Sequence, residues 1–313
     1  LLSLLRIWPA IGGRIGIDSA ASRAAVKAAL GLALLVSPCS GWAAYQSKGF
    51  PPAHELFAPL LADSSDPHFA FSLGAEEQQR GIARVDLGDY LGIYRLALPG
   101  ELGAVQLNIG GAIFTRFDAV SHDIQVIDYY GNVPVDIRMG RAAARLMFYH
   151  DSSHLGDDYL KERGIQTIAH SWEALRGILA FNPVKPLRLY GGYTKALHTK
   201  PAWAGYQAVQ GGVEIYFNTS ANAHWHPYWA NDIQVWERTA WDPLWTSQLG
   251  LKTAADYSKG RGITYFVQVM KGPRLEGQFY TQTETVWSAG LKFALSLNLL
   301  SPSEQPSSQD DKK

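Results

Sequence analysis

Four stretches of this chain alternate apolar and polar residues with a period of two for longer than an ordinary strand lasts. Val105, Leu107, Ile109 and Ile113 alternate with Ala104, Gln106, Asn108 and Ala112. Val209, Val213, Ile215 and Phe217 alternate with Gln210 and Glu214, and Trp245, Leu249 and Leu251 with Thr246, Gln248 and Lys252. Trp287, Ala289, Leu291, Phe293 and Leu295 alternate with Ser288, Gly290, Lys292 and Ser296. Successive side chains of a strand point to opposite faces, so each run has one apolar and one polar face. Each run lasts about 9 to 12 residues; globular strands average about 5–6, whereas a tilted strand crossing a bilayer needs about 9–11. No segment of comparable length shows a helical period with caps.

Backbone groups inside lipid must be satisfied internally, and without helices only a closed barrel does this. The chain is therefore expected to be all-β: a transmembrane antiparallel up-and-down β-barrel of about twelve strands over residues 79–295. A soluble periplasmic barrel or sandwich, apolar face inward, would alternate in the same way. Composition favours lipid. Charged residues make up 18% of the chain, against about 25% in soluble domains. Six of the ten tryptophans fall between Trp203 and Trp245, as an aromatic belt at a membrane surface requires. A net charge of zero without a Lys/Arg run argues against nucleic acid as a partner.

Arg23 and Lys27 precede an apolar run from Ala28 to Val36, followed by Gly41-Trp42-Ala43. This is the layout of a cleavable signal peptide, and the run is too short to span a bilayer as a helix. Residues 1–43 are read as signal and upstream sequence, which would remove the single cysteine, Cys39. Residues 44–78, rich in Pro and Ser, are expected to be irregular, and the tail at 296–313 disordered. The expected location is the bacterial outer membrane, reached by export and by the outer-membrane insertion machinery.

One stretch carries chemistry: "RLMFYHDSSHLGDDY", residues 145–159. Counting back from His150, one face holds Phe148, Leu146, Ala144 and Ala142, and the other Tyr149, Met147, Arg145, Ala143 and Arg141. The arginines assign the second face to the lumen, so His150 and Ser152 face lipid. Polar groups there are costly and are a functional hypothesis by default. The strand starts after the short connection Met139-Gly140-Arg141 and ends at a longer loop, which places both residues near the outer leaflet. Serine needs a neighbouring base, and that histidine needs an acceptor. The next strand, expected over about Ile165 to Phe181, puts Glu173 on the same lipid side, giving a catalytic set Ser152–His150–Glu173. Asp157 or Asp158 could replace Glu173 in another register.

"FYHDSSHLGDDY", "LFAPLLADSSDPHF" and "EGQFYTQTETVWSAGLKF" resemble an uncharacterised bacterial family of exported proteins, a domain of unknown function. The resemblance runs from about Leu56 to Phe293 and implies an outer-membrane barrel without an assigned activity. The His-x-Ser at 150–152 also resembles outer-membrane phospholipase A and lipid A 3-O-deacylase. That resemblance implies Ser152 as nucleophile and His150 as base, acting on phospholipid or lipopolysaccharide. Both families continue with Asn where this chain has Ser153, and Glu173 matches only the acidic third member of the deacylase type.

Other readings compete. A strand-end polar cluster without chemistry fits His150 and Ser152, and a bulge would turn both inward. His154, Asp157 and Asp158, with His150, have spacings a loop could use for a hard cation such as Ca²⁺. His224 and His226 lie within a Trp- and Tyr-rich belt rather than a metal set. Gly191-Gly192 and Gly211-Gly212 lie in strand patterns and are expected to allow bends or close strand approach. Two function classes follow: a membrane-embedded lipid acyl hydrolase, and a non-catalytic structural or pore-forming barrel.

Overall fold

The computed structural model describes residues 55–294, except 78–80, 100–101, 165, 203–204, 221 and 255–261. The expected signal peptide, Cys39 and the expected tail lie outside the described residues.

Twelve antiparallel strands close into one barrel, each pairing with its neighbours in sequence and β1 with β12. They are β1 (Phe69–Glu76), β2 (Gly81–Ala97), β3 (Ala104–Asp118), β4 (Ile124–Met139), β5 (Ala142–Leu155) and β6 (His170–Val184). β7 (Leu187–Lys200), β8 (Gln207–Tyr216), β9 (Trp225–Trp236), β10 (Pro243–Thr253), β11 (Gly262–Pro273) and β12 (Thr283–Ala294) complete it. A short helix α1 (Asp157–Arg163) follows β5, and single 3₁₀ turns precede β10 and β12. The barrel begins ten residues before the expected boundary at 79, because β1 places small residues, Ala70, Ser72 and Gly74, on its inner face and alternates weakly.

The strand faces are inverted relative to a soluble barrel. Ile109, Ile113, Val209, Trp245, Leu249, Trp287 and Phe293 point outward and are exposed, whereas Gln106, Asn108, Gln210, Glu214 and Gln248 are buried inside. Backbone pairing without an edge and an apolar outer wall are the two properties a membrane-spanning sheet needs. Trp225 faces outward toward one end of the barrel and Trp241 and Trp245 toward the other. Trp236, from the same expected belt, turns inward onto Trp172, ring centroids 5.6 Å apart. His226 is also internal, bonded to the Asn218 and Ala254 carbonyls at 2.9 and 3.1 Å.

Lumenal aromatics lie over glycines of the next strand. Tyr190 pairs with Gly212 and Tyr228 with Gly250, and a Cβ on either glycine would meet the tyrosine ring. The same relation recurs at Tyr90/Gly110 and Phe266/Gly290. These glycines exist for close approach, as expected for Gly211-Gly212.

Residues 55–68 run through the lumen as an irregular plug, and the sequence pattern gave no sign of this placement. Arg138 and Arg188 bond the Leu56, Ala58 and Pro59 carbonyls at the end holding the two-residue turns, 140–141 and 185–186. Phe57, fully buried, lies against the guanidinium groups of Arg145 and Arg188. Further in, Asp63 accepts from Arg176 at 2.8 Å and from the side-chain amides of Gln210 and Gln234 at 2.9 and 3.0 Å. Burial raises the Asp63 carboxyl, but Arg176 and the bonds from Ser65 and Gln210 outweigh it and hold it below the usual carboxylate range.

The other end is covered by the loop between β11 and β12. Glu276 drops inside onto Arg84 at 3.0 Å and Arg116 at 3.4 Å. Burial alone would raise the Glu276 carboxyl; Arg116, Arg84 and Arg274 bring it down to about 2.

Candidate functional site on the outer wall

β5 and β6 run side by side with His150 opposite Glu173 and Ser152 opposite Ser171. Alternation fixes the faces. Leu146 and Leu175 are exposed on the outer wall, whereas Arg145, Met147, Tyr149, Trp172 and Arg176 are buried inside. His150, Ser152 and Glu173 share the parity of Leu146 and Leu175, so all three belong to the outer wall. His150 Nδ1 stands 3.6 Å from Glu173 Oε1, within ion-pair range and longer than a hydrogen bond. The histidine side chain is 29% exposed, and the carboxylate side chain beside it only 4%.

On its other side Glu173 is paired with His198 of β7. A register shift falls here: Ala174 pairs with Ala196, so Leu197 is the extra residue. Buried Thr199 and exposed Lys200 fix the alternation and turn His198 outward toward the Glu173 row. His150, Glu173 and His198 thus occupy one row across three strands. Ser152, Ser171 and Lys200 form the next. Sequence reasoning missed His198 because a bulge breaks the period on which parity depends.

Ser152 is partly exposed and makes no hydrogen bond to His150. The strand runs on to Leu155, and the first loop amide, Gly156, is bonded to the Gln125 carbonyl at 3.2 Å. The loop after β5 therefore starts too late to supply oxyanion donors beside Ser152. Side chains in the same row, Ser171 and Lys200, are the donors nearest in register.

Two expectations need correction. β6 starts at His170 rather than near Ile165; Ala169 precedes the strand. The segment containing Asp157 and Asp158 forms α1, with both acids exposed in its first turn, where they suit the helix dipole. Asp158 is 3.3 Å from Lys161. His154 faces outward on β5, its ring 5.8 Å from that of Tyr129. Among the described residues no group of three His, Cys, Asp or Glu side chains is arranged to hold a metal ion.

A second polar cluster lies inside the wall, one residue away. Ser153 donates to Asp128, and the Gly277 and Gln278 amides bond Asp128 and Ser153 at 3.1 and 3.0 Å. His170 Nε2 is 3.9 Å from Asp151. These contacts fasten the β11–β12 loop over the barrel end. Ser153 and His170 are buried on the inner face, and their loop partner gave no sequence signal.

Residues 36–294 match the family described as "Protein of unknown function (DUF1207)". No curated protein matches the sequence. Outer membrane phospholipase A from Escherichia coli superposes with a TM-score of 0.51 at 12% identity, covering 79% of this chain and 96% of that one. KdgM porin superposes at 0.42 with 10% identity, covering 72% of this chain and 98% of that one. At these identities the likeness shows the fold alone, that of an outer-membrane β-barrel.

Proposed function

The chain belongs to this family, whose description names no activity, and we propose that it is an outer-membrane lipid acyl hydrolase. The observation that carries this reading is the buried Glu173 carboxylate beside His150 on a wall otherwise built for hydrocarbon. A carboxylate at that position is costly in lipid and has a use if it orients a histidine. With the long loop at 156–169 on the outside, the site lies at the level of the outer leaflet. The substrate is then a phospholipid or lipopolysaccharide acyl ester.

Glu173 faces Nδ1 of His150, which leaves Nε2 for Ser152. Nε2 takes the Ser152 hydroxyl proton as Oγ attacks the ester carbonyl carbon. Collapse of the tetrahedral adduct expels the alcohol, which leaves with the proton returned by His150. Water then attacks the acyl-serine by the same route and releases the fatty acid. Ser171 and Lys200, in the Ser152 row, lie on the side from which the developing oxyanion or a lipid phosphate would be met. The His150–Glu173 gap closes by about half an ångström to become a hydrogen bond, a tightening common when substrate binds.

The unmade Ser152–His150 bond favours the second reading, a non-catalytic structural or pore-forming barrel. Purified protein folded in detergent and given mixed phospholipid and lipopolysaccharide separates the two, with products read by mass spectrometry. Loss of one acyl chain, lowered about 10³-fold or more in Ser152→Ala and His150→Ala, is expected. No acyl loss from the folded parent, with and without added Ca²⁺, would leave the non-catalytic reading.

A further inference from the structure

The lumen holds a polar arrangement that the outer-wall chemistry does not use. Arg176 on β6, Gln210 on β8 and Gln234 on β9 converge on Asp63 of the plug, and the two glutamine amides are shared with Asp232 of β9 at 2.7 and 3.0 Å. All three donors are buried, at 8%, 8% and 5% exposure. A guanidinium with two amide donors is a carboxylate receptor by geometry and charge. The cradle opens onto a cavity of about 50 Å³, enough for a few waters. Arg176, Gln210 and Gln234 line it from one side together with Arg238. Arg238 stacks on Trp236 at 4.3 Å and Trp172 at 5.3 Å, with Asp151 and Asp128 as charged neighbours beyond ion-pair distance. Asp128, Asp151 and Glu276 line the cavity as well, Glu276 being already paired to Arg84 and Arg116.

We propose that Arg176, Gln210 and Gln234 form a binding site for a small organic acid entering the lumen, and that Asp63 of the plug occupies it as a tethered substitute. Three guanidinium groups line the cavity: Glu276 pairs with Arg84, the plug carboxylate with Arg176, and Arg238 has no carboxylate within ion-pair distance among the described residues. A free acid in the cavity lies beside Arg238 and competes with Asp63 for Arg176. The acids Asp128 on β4 and Asp151 on β5, which also line the cavity, accept hydroxyl groups, so a polyhydroxylated acid suits the cavity better than an alkyl one. A tethered carboxylate acts at an effective concentration in the millimolar range or above, so it masks the site from dilute solutes.

The experiment is calorimetric titration of the folded full-length protein in detergent at neutral pH. D-gluconate is the probe and sorbitol its uncharged control. Asp63→Asn is expected to bind gluconate at least tenfold more tightly than the parent, and sorbitol not at all. Asp63→Asn combined with Arg176→Gln is expected to lose that binding. Equal gluconate binding in parent and Asp63→Asn, none in either, or equal binding of sorbitol would overturn the proposal. The unsubstituted protein supplies a second readout that survives misfolding of any variant. Glu214 holds the Leu61 amide at 2.8 Å, and gluconate, but not sorbitol, is expected to speed its hydrogen exchange as the plug turn is displaced. Unchanged exchange at saturating gluconate counts against displacement and overturns it.

Discussion

Glu173 lies directly across the β5–β6 pair from His150 and pairs on its other side with His198, so one carboxylate sits between two imidazoles on the apolar wall. The side chain is almost wholly covered there, although it shares the parity of exposed Leu175. A surface carboxylate with only a solubilising role would be neither covered nor flanked in this way.

Glu173→Gln keeps the size of the side chain and removes its charge. It is expected to lower acyl hydrolysis by about 10²–10⁴-fold by releasing the histidine tautomer, while the denaturation midpoint changes little. Rates with parent and variant at saturating lipid, beside a urea titration in detergent, check this. An unchanged rate would remove Glu173 from the mechanism.

Arg145 is buried between Asp136, at 2.7 Å, and the rings of Phe57 and Tyr90. Arg145→Met leaves Asp136 with an uncompensated charge and is expected to cost about 3–5 kcal/mol. Adding Asp136→Leu to that variant is expected to recover a large part of the loss, since a buried pair replaced together costs less than one partner removed. Midpoints of the two variants and the parent decide it.

Glu276 fixes the pH behaviour of the covering loop. Its folded carboxyl titrates near 2, below the ordinary value of 4.5. A depressed value means that the carboxylate stabilises the folded loop fully above about pH 4.5, and that this contribution fades as pH falls toward 2. Exchange protection at the Gly277 and Gln278 amides, corrected for intrinsic rate, is expected to hold at pH 6 and drop between pH 4.5 and 2. Glu276→Gln is expected to show no such drop.

Leu249 stands outward near the middle of β10 at 52% exposure. Arginine there is expected to cost about 2–4 kcal/mol in a bilayer, the depth-dependent penalty of a lipid-facing charge. The measurement is folding stability in lipid vesicles. A change within 0.5 kcal/mol, ordinary for an exposed site on a soluble protein, would place this wall in water.

The barrel was legible because its signal is the period itself. Trp245, Leu249 and Leu251 read as one face whatever surrounds them. His150 and Ser152 could be assigned to lipid for the same reason, counted from the arginines at 141 and 145, and the carboxylate followed from parity on the next strand. What stayed hidden depends on long-range placement. Residues 55–68 have no period, and their place in the lumen comes from partners distant in sequence, such as Glu214 for the Leu61 amide. His198 was lost to a bulge and the Ser153–Gln278 contact to a loop, neither of which leaves a repeating pattern. The helix at Asp157–Arg163 is a single short segment, below the length at which periodicity reveals a helix.

The inversion of the strand faces has a consequence for how this chain comes to be folded at all. Collapse in water draws leucines together and leaves charges outside, which for this sequence gives the wrong topology. Its apolar side chains have no common interior to share; they share only a perimeter. Its interior is an assembly of ion pairs and amides, which contributes modestly to net stability when formed from water. The driving force that closes the ring must therefore come from the solvent around it. For this chain the bilayer completes the hydrophobic half of the structure.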